Sequence, residues 1–286
     1  MDGFGARLSA AVRARGPLCV GIDPHSELLV RWGLPDDPTG LAQFVRTVID
    51  ALAERVAVFK PQAAFFERFG SRGFAVLESA VRELRDAGAI VLLDAKRGDV
   101  ASTTAGYASA YLTPGSPLYV DAVTANPYLG LGALSPMVEA ARAHGGGLFV
   151  LARTSNPDAE TVQRARTADG RPVAQYVVDE ISQLNRAFAD LGPDPGGLGS
   201  FGVVVGATAG GAGLDLSRLG GPVLVPGLGA QGATAADLRD RFGEQRSAVL
   251  PSYSREVLRA GPDPDGLRRA ADRALAACVA ALAAPA

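Results

Sequence analysis

The sequence holds 28 lysine and arginine residues, yet only Lys60 and Lys96 are lysines and the other 26 are arginines. Both lysines close apolar runs, "VAVFK" and "IVLLDAK". Lys96 sits between two carboxylates in "DAKRGD", with Asp94 two residues before it and Asp99 three residues after. Asp23 closes an earlier apolar run, "PLCVGID". Arginine cannot release its proton at useful pH, whereas the pKa of a lysine follows its burial and its neighbours. A lysine fixed beside carboxylates can deliver a proton to a reacting atom. Lysine is also the side chain that forms a Schiff base with a carbonyl substrate. The residue types leave both chemistries open. They also allow structural ion pairs, with Asp99 as a helix N-cap. Four charges, Asp23, Lys60, Asp94 and Lys96, fall at corresponding ends of three consecutive runs. Crowded like charges are costly, so a purely structural network would not usually gather them this way.

The runs that carry these residues recur along the chain. They occupy 17–23, 56–60, 89–94, 117–124, 147–152, 201–206, 222–227 and 247–252. Each is rich in Val, Leu or Ile with little polar alternation, the pattern of strands buried on both faces of a parallel sheet. Amphipathic segments lie between them. Helical spacing is clear over 40–55, 73–88, 174–192 and 266–284, and Gly88 is placed to cap the second of these. A short helix is expected after the sixth run, over 210–220. Eight strand–helix units predict one α/β domain over 1–286, a closed (β/α)8 TIM barrel. An open doubly wound sheet would carry a Gly-rich dinucleotide turn after its first strand, and "GIDPHSE" has none. In a strand, positions i and i+2 share a side, so Asp94 and Lys96 are expected together on the rim where barrel enzymes hold their chemistry. The long segment 153–172 follows the fifth run, on that same face, and is a candidate lid.

A second signal comes from the last two units. "VPGLGAQGATAADL" is a Gly-rich turn leading into a helix, and Ser254 and Arg255 follow the eighth run. Loops after strands seven and eight of a barrel often bind phosphate through backbone N–H groups, and Arg255 would add a forked donor. The net charge of −2 gives no basic surface for nucleic acid. Cys19 and Cys278 read as buried apolar residues and suit a reducing cytoplasm. The N-terminal residues lack the apolar stretch of a signal peptide, and no run is long enough to span a bilayer, so a cytoplasmic location is expected. His25 and His144 stand apart with no i, i+4 partner. They are read as surface or loop residues, and no metal site is expected.

These residues resemble the orotidine 5′-phosphate decarboxylase family nearly end to end. "DAKRGDVAST" fits its D-x-K-x-x-D-[IV]-x-x-T pattern, and "GIDP", Lys60, "SNP", "PGLGAQG" and "SR" follow in the family's order. The segments "TANPYLG" and 153–172 resemble its longer bacterial branch. The resemblance implies decarboxylation of orotidine 5′-phosphate to uridine 5′-phosphate, the last step of pyrimidine synthesis, without a cofactor. It implies that Asp94 lies beside the substrate carboxylate and that Lys96 protonates C6. Lys60 and Asp23 would hold the ribose hydroxyls, Ser155 the pyrimidine edge, and Gln231 and Arg255 the phosphate. Asn126 is a further substrate contact in this reading. Asp99 and Thr103 would reach into the neighbouring subunit's site and make the protein a homodimer. Three alternatives remain. They are a metal-dependent sibling acting on another sugar phosphate, a Schiff-base aldolase, and a non-catalytic nucleotide-binding barrel.

Overall fold

A computed structural model describes residues 2–188, 197–208, 213–229, 232–242 and 248–283. Its eight strands close into a parallel barrel in sequence order. They are β1 (Cys19–Ile22), β2 (Val58–Pro61), β3 (Ile90–Arg97), β4 (Ala122–Ala125), β5 (Gly147–Arg153), β6 (Phe201–Val205), β7 (Val223–Pro226) and β8 (Val249–Tyr253). Each falls on one of the eight apolar runs, and β1 pairs with β8 to complete the ring. The helices are α1 (Phe4–Arg15), α2 (Ser26–Arg31), α3 (Pro38–Leu52), α4 (Ala64–Glu67), α5 (Gly70–Asp86), α6 (Ala101–Leu112) and α7 (Ser135–His144). They continue with α8 (Ala159–Gln163), α9 (Val173–Phe188), α10 (Ala235–Phe242), α11 (Arg255–Leu258) and α12 (Pro264–Leu282).

Local chemistry sets the helix ends. Asp37 caps α3 by accepting from the N–H groups of Thr39 and Gly40, and Asp263 caps α12 through Asp265 and Gly266. Each cap is followed by a proline, which has no N–H to leave unpaired in the first turn. Gly88, at φ 72°, ends α5 in the left-handed region, as its position suggested.

The strands face two ways. Val20, Phe59, Val91, Leu93, Val123, Val150, Val203 and Val225 pack outward with the helices. Cys19, Val58, Leu92, Ala122, Phe149, Val204, Leu224 and Leu250 fill the barrel interior. Burial on both faces explains why the strands show no polar alternation. Helix α1 closes the barrel floor. Phe4 meets Phe149 edge-on at 5.8 Å, and a Cβ on Gly147 would lie 2.4 Å from the Phe4 ring, so only glycine fits there.

One expected element is not found. Of the segment 210–220, the described residues 213–220 form turns and irregular backbone rather than a helix. The Gln175 side chain brackets the backbone of Asp215, accepting from its N–H at 2.8 Å and donating to its carbonyl at 3.1 Å. The Asp215 carboxylate accepts from Ser217 N–H at 2.9 Å. These bonds take the backbone and side-chain groups that a helical turn would use.

Candidate active site

The interior layer sets the site, because residues two positions further along each strand point into the barrel one level higher. Val58 leads to Lys60, Leu92 to Asp94, Ala122 to Thr124, and Leu250 to Ser252. These four polar residues help line a cavity of about 360 Å³ at the C-terminal end of the strands. Such a volume suits a small organic ligand.

At its base lies a buried charge network. Lys60 is 5% exposed and Asp94 8%. Lys60 Nζ donates to Asp94 Oδ2 at 3.0 Å, and Lys96 Nζ donates to Asp94 Oδ1 at 2.7 Å. Burial opposes the charge on Asp94, but Lys60 and then Lys96 outweigh it and hold the carboxyl well below the usual carboxylate range. Burial also works against the Lys60 ammonium, yet Asp94 and Asp23 hold its pKa above the ordinary lysine value. Lys60 is enclosed, whereas the Lys96 side chain is 42% exposed and faces the cavity.

Lys96 reaches this position through an irregular backbone. Leu93 pairs with Val123, but Arg97 pairs with Ala125, so two extra residues of β3 bulge out between them. Lys96 takes φ 47°, alone among the described non-glycine residues in having positive φ. Such backbone strain at a non-glycine residue persists only where the surroundings enforce it. Asp94 and Lys96 therefore meet as expected, but through a bulge rather than a regular strand.

Asp23, Ser155 and Arg255 also line the cavity. Asp23 Oδ1 and Ser254 Oγ are buried without a hydrogen-bond partner among the described residues. Gly21 makes room for both, since a Cβ there would lie 2.8 Å from Ser254 Cβ. Gly206 does the same for Ser155, whose backbone nitrogen would be 3.0 Å from an added Cβ. Beyond β7, Gly227 at φ 100° and Gly229 at φ 71° shape the expected turn. Gln231 lies outside the described residues.

Three candidates are not brought to this cavity. Asn126 is exposed, and its Oδ1 accepts from Tyr128 N–H at 3.0 Å, closing a local turn instead of facing a ligand. Asp99 and Thr103 lie at the start of α6, with Thr103 exposed. Asp99 does not cap α6; its carboxylate accepts from the adjacent Val100 N–H at 2.7 Å, and Val100 occupies the cap position.

His25, read from sequence as a surface or loop residue, lines the cavity, with its ring 4.1 Å from that of Phe65. Burial first, and the Arg255 charge after it, lower its pKa against the pull of Asp23. Its place two residues beyond Asp23, in a loop that follows a barrel strand, is the signal that marks it. Gln62 and Thr124 also line the cavity. In segment 153–172, Thr154 and Ser155 reach the cavity. The Gln163 side chain of α8 clamps Thr154, accepting from its N–H at 2.8 Å and donating to its hydroxyl at 2.9 Å. Among the described residues no group of three or more His, Cys, Asp or Glu is placed to hold a metal ion, and no helix is long and apolar enough to cross a membrane.

Known proteins resemble this chain over nearly its whole length. An orotidine 5′-phosphate decarboxylase of Salinispora tropica is 67% identical over 282 residues, covering 99% of each chain. One from Streptomyces coelicolor is 56% identical over 277 residues, 96% of each. A crystal structure from Streptomyces avermitilis, provisionally named for the same activity, superposes with a TM-score of 0.94 at 57% identity, covering 99% of this chain and 97% of that one. The Leishmania donovani OMP decarboxylase structure gives 0.76 at 31% identity, covering 99% of each. The family model matches residues 16–270, which span all eight strands and every charged residue of the cavity, so the chain belongs to the orotidine 5′-phosphate decarboxylase / HUMPS family.

Proposed function

We propose that this enzyme, a carboxy-lyase by its family, converts orotidine 5′-phosphate to uridine 5′-phosphate and carbon dioxide without a cofactor, in pyrimidine synthesis. The observation that carries this reading is the Lys60–Asp94–Lys96 network at the base of the cavity. Loss of carbon dioxide breaks the bond to C6 and leaves its electron pair on that carbon. Lys96 delivers a proton there and regains one from solvent. An ammonium already in place stabilises the charge as it develops, with no reorganisation at the moment of reaction. Asp94 lies beside the departing carboxylate and fixes both lysines. A Schiff-base role fits less well, because a carboxylate at 2.7 Å favours the ammonium over a nucleophilic amine.

The remaining groups bind. Asp23 Oδ1 has no partner among the described residues, which suits it to accept from a ribose hydroxyl beside Lys60. Ser155 reads the pyrimidine edge, while Arg255 and Gln231 hold the phosphate. Phosphate binding supplies energy remote from the reacting carbon, and segment 153–172 is the lid that it draws closed. Asp99 and Thr103 lie off this chain's own cavity, and they complete the partner's site in a homodimer. Cys19 and Cys278, both buried free thiols, fit a cytoplasmic setting.

The test follows the ultraviolet absorbance of orotidine 5′-phosphate with a chelator present, beside a Lys96→Ala variant. Turnover by the wild type alone supports the reading. Activity that the chelator abolishes would point to the metal-dependent sibling. Tight binding of uridine 5′-phosphate with no turnover would make the protein a binding barrel.

A further inference from the structure

We infer that Thr124 is a positioning residue for the reaction proposed above, holding Asp94 and the strained backbone of Lys96 in register through one hydroxyl. Thr124 lies on β4, is 1% exposed and lines the cavity. Its Oγ1 donates to Asp94 Oδ1 at 2.8 Å and accepts from the Lys96 N–H at 2.9 Å. A hydroxyl has one proton to give, and here that proton is committed to Asp94. The same oxygen receives the N–H that the β3 bulge displaces from the ladder, since regular pairing is interrupted between Leu93 and Arg97.

This contact answers two needs. Asp94 Oδ1 receives both the Lys96 ammonium and the Thr124 hydroxyl, so the carboxylate is pinned from β3 and β4 while Lys60 holds Oδ2 from β2. The Lys96 backbone, at φ 47°, needs an acceptor that no neighbouring strand carbonyl supplies at this point. Without Thr124 Oγ1, a half-exposed lysine on a bulge would lose its anchor. A small displacement of a reacting group costs rate more than binding.

The inference rests on the decarboxylase reading, and its test separates the two. Thr124→Val keeps the side-chain shape and removes donor and acceptor together; Thr124→Ser keeps the hydroxyl. For Thr124→Val, kcat is expected to fall about a hundredfold, with KM and uridine 5′-phosphate binding within about threefold, and Thr124→Ser should recover most of the loss. If Thr124→Val fails to fold, Thr124→Ala replaces it, and the Ser-to-Ala ratio of kcat reads the hydroxyl. A second readout needs no substrate. Because Lys60 and Lys96 are the only lysines, 13C-lysine labelling gives two side-chain signals, assigned with Lys96→Ala. Loss of the hydroxyl should shift the Lys96 signal, and Thr124→Ser should restore it. Wild-type kcat in Thr124→Val, equal losses in the Ser and Ala variants, or an unmoved Lys96 signal would overturn the inference. An inactive wild type would instead sink the decarboxylase reading, with the lysine signals still reporting whether Thr124 anchors Lys96.

Discussion

The two lysines of this chain occupy opposite environments around one carboxylate. Lys60 is enclosed and serves as a fixed charge, while Lys96 presents its amine to the cavity. Their removal should therefore differ. Lys96→Ala takes away the proposed proton donor and should lower kcat at least a thousandfold, with uridine 5′-phosphate binding kept within about tenfold. Equal losses in turnover and binding would argue for a binding role only. Asp94→Asn removes the anion that both lysines share and leaves the Lys60 ammonium buried. Breaking a buried pair in this way costs about 3–5 kcal/mol, so the variant should melt several degrees lower. The pH dependence follows from the two shifts. The folded-state pKa of Asp94 is depressed, so its contribution is present above the unfolded carboxylate range and is lost as pH falls through the folded value. Lys60 is shifted up, so its contribution is full below the unfolded lysine range and is lost as pH rises through the folded value. In Asp94→Asn the Lys60 ammonium loses the partner that held its pKa up against burial, so the stability gap between wild type and variant should be widest near pH 5 and narrow as pH rises and the variant's Lys60 deprotonates. Melting curves from about pH 5 to 9 check this, and a gap that widens with pH would contradict the network.

At the scale of elements, the strands that carry the site were legible and their irregularities were not. Continuous apolar runs mark all eight strands, because both faces are buried. The alternation from Leu92 to Asp94 and from Val58 to Lys60 then places the charges at the rim. The β3 bulge leaves no comparable mark, since "DAK" reads equally well as a regular strand. Nothing in "TANPYLG" singles out Thr124 over Asn126, because a hydroxyl acquires its role only from the partners that the neighbouring strand brings. Helix α1 reads weakly for a similar reason. It buries Phe4, Gly5 and Leu8, too few for a clear stripe, yet it closes the barrel floor. Asp99 and Thr103 match a motif by spacing, but this chain's own cavity does not include them. Glycines carry information of the same hidden kind. Gly206 ends β6 against Ser155, and an added Cβ would lie 3.0 Å from the Ser155 nitrogen and 3.1 Å from its Cβ. Gly206→Ala should therefore push Ser155 by a few tenths of an ångström and raise KM for orotidine 5′-phosphate about tenfold, with a smaller effect on the melting temperature. Steady-state kinetics decide this; an unchanged KM would remove Ser155 from the base-reading role.

The proposed role of Asp99 and Thr103 belongs to the scale of the whole molecule. They lie at the start of α6, off this chain's cavity, beside the exposed apolar side chain of Val100; Tyr128 and Leu129, from the loop after β4, are also exposed. The Gly98 turn that precedes Asp99 touches that loop, since an added Cβ would sit 2.2 Å from the Asn126 carbonyl oxygen. If this face meets a second copy across a two-fold axis, each Asp99 enters the other subunit's site, and every site draws Lys96 from one chain and Asp99 from the other. That arrangement predicts a specific complementation. Lys96→Ala and Asp99→Ala homodimers should each be nearly inactive, because each has two defective sites. Mixed and allowed to exchange, they form heterodimers in which one site carries both defects and the other carries none. Random pairing makes half the dimers mixed, so about a quarter of wild-type specific activity should return. The recovered activity should decay on dilution as dimers separate, with a midpoint that follows total protein concentration. Recovery with wild-type KM would place Asp99 in the partner's site. No recovery, with exchange verified by mass spectrometry of differently tagged chains, would confine Asp99 to its own subunit and leave the exposed residues of α6 without a catalytic part.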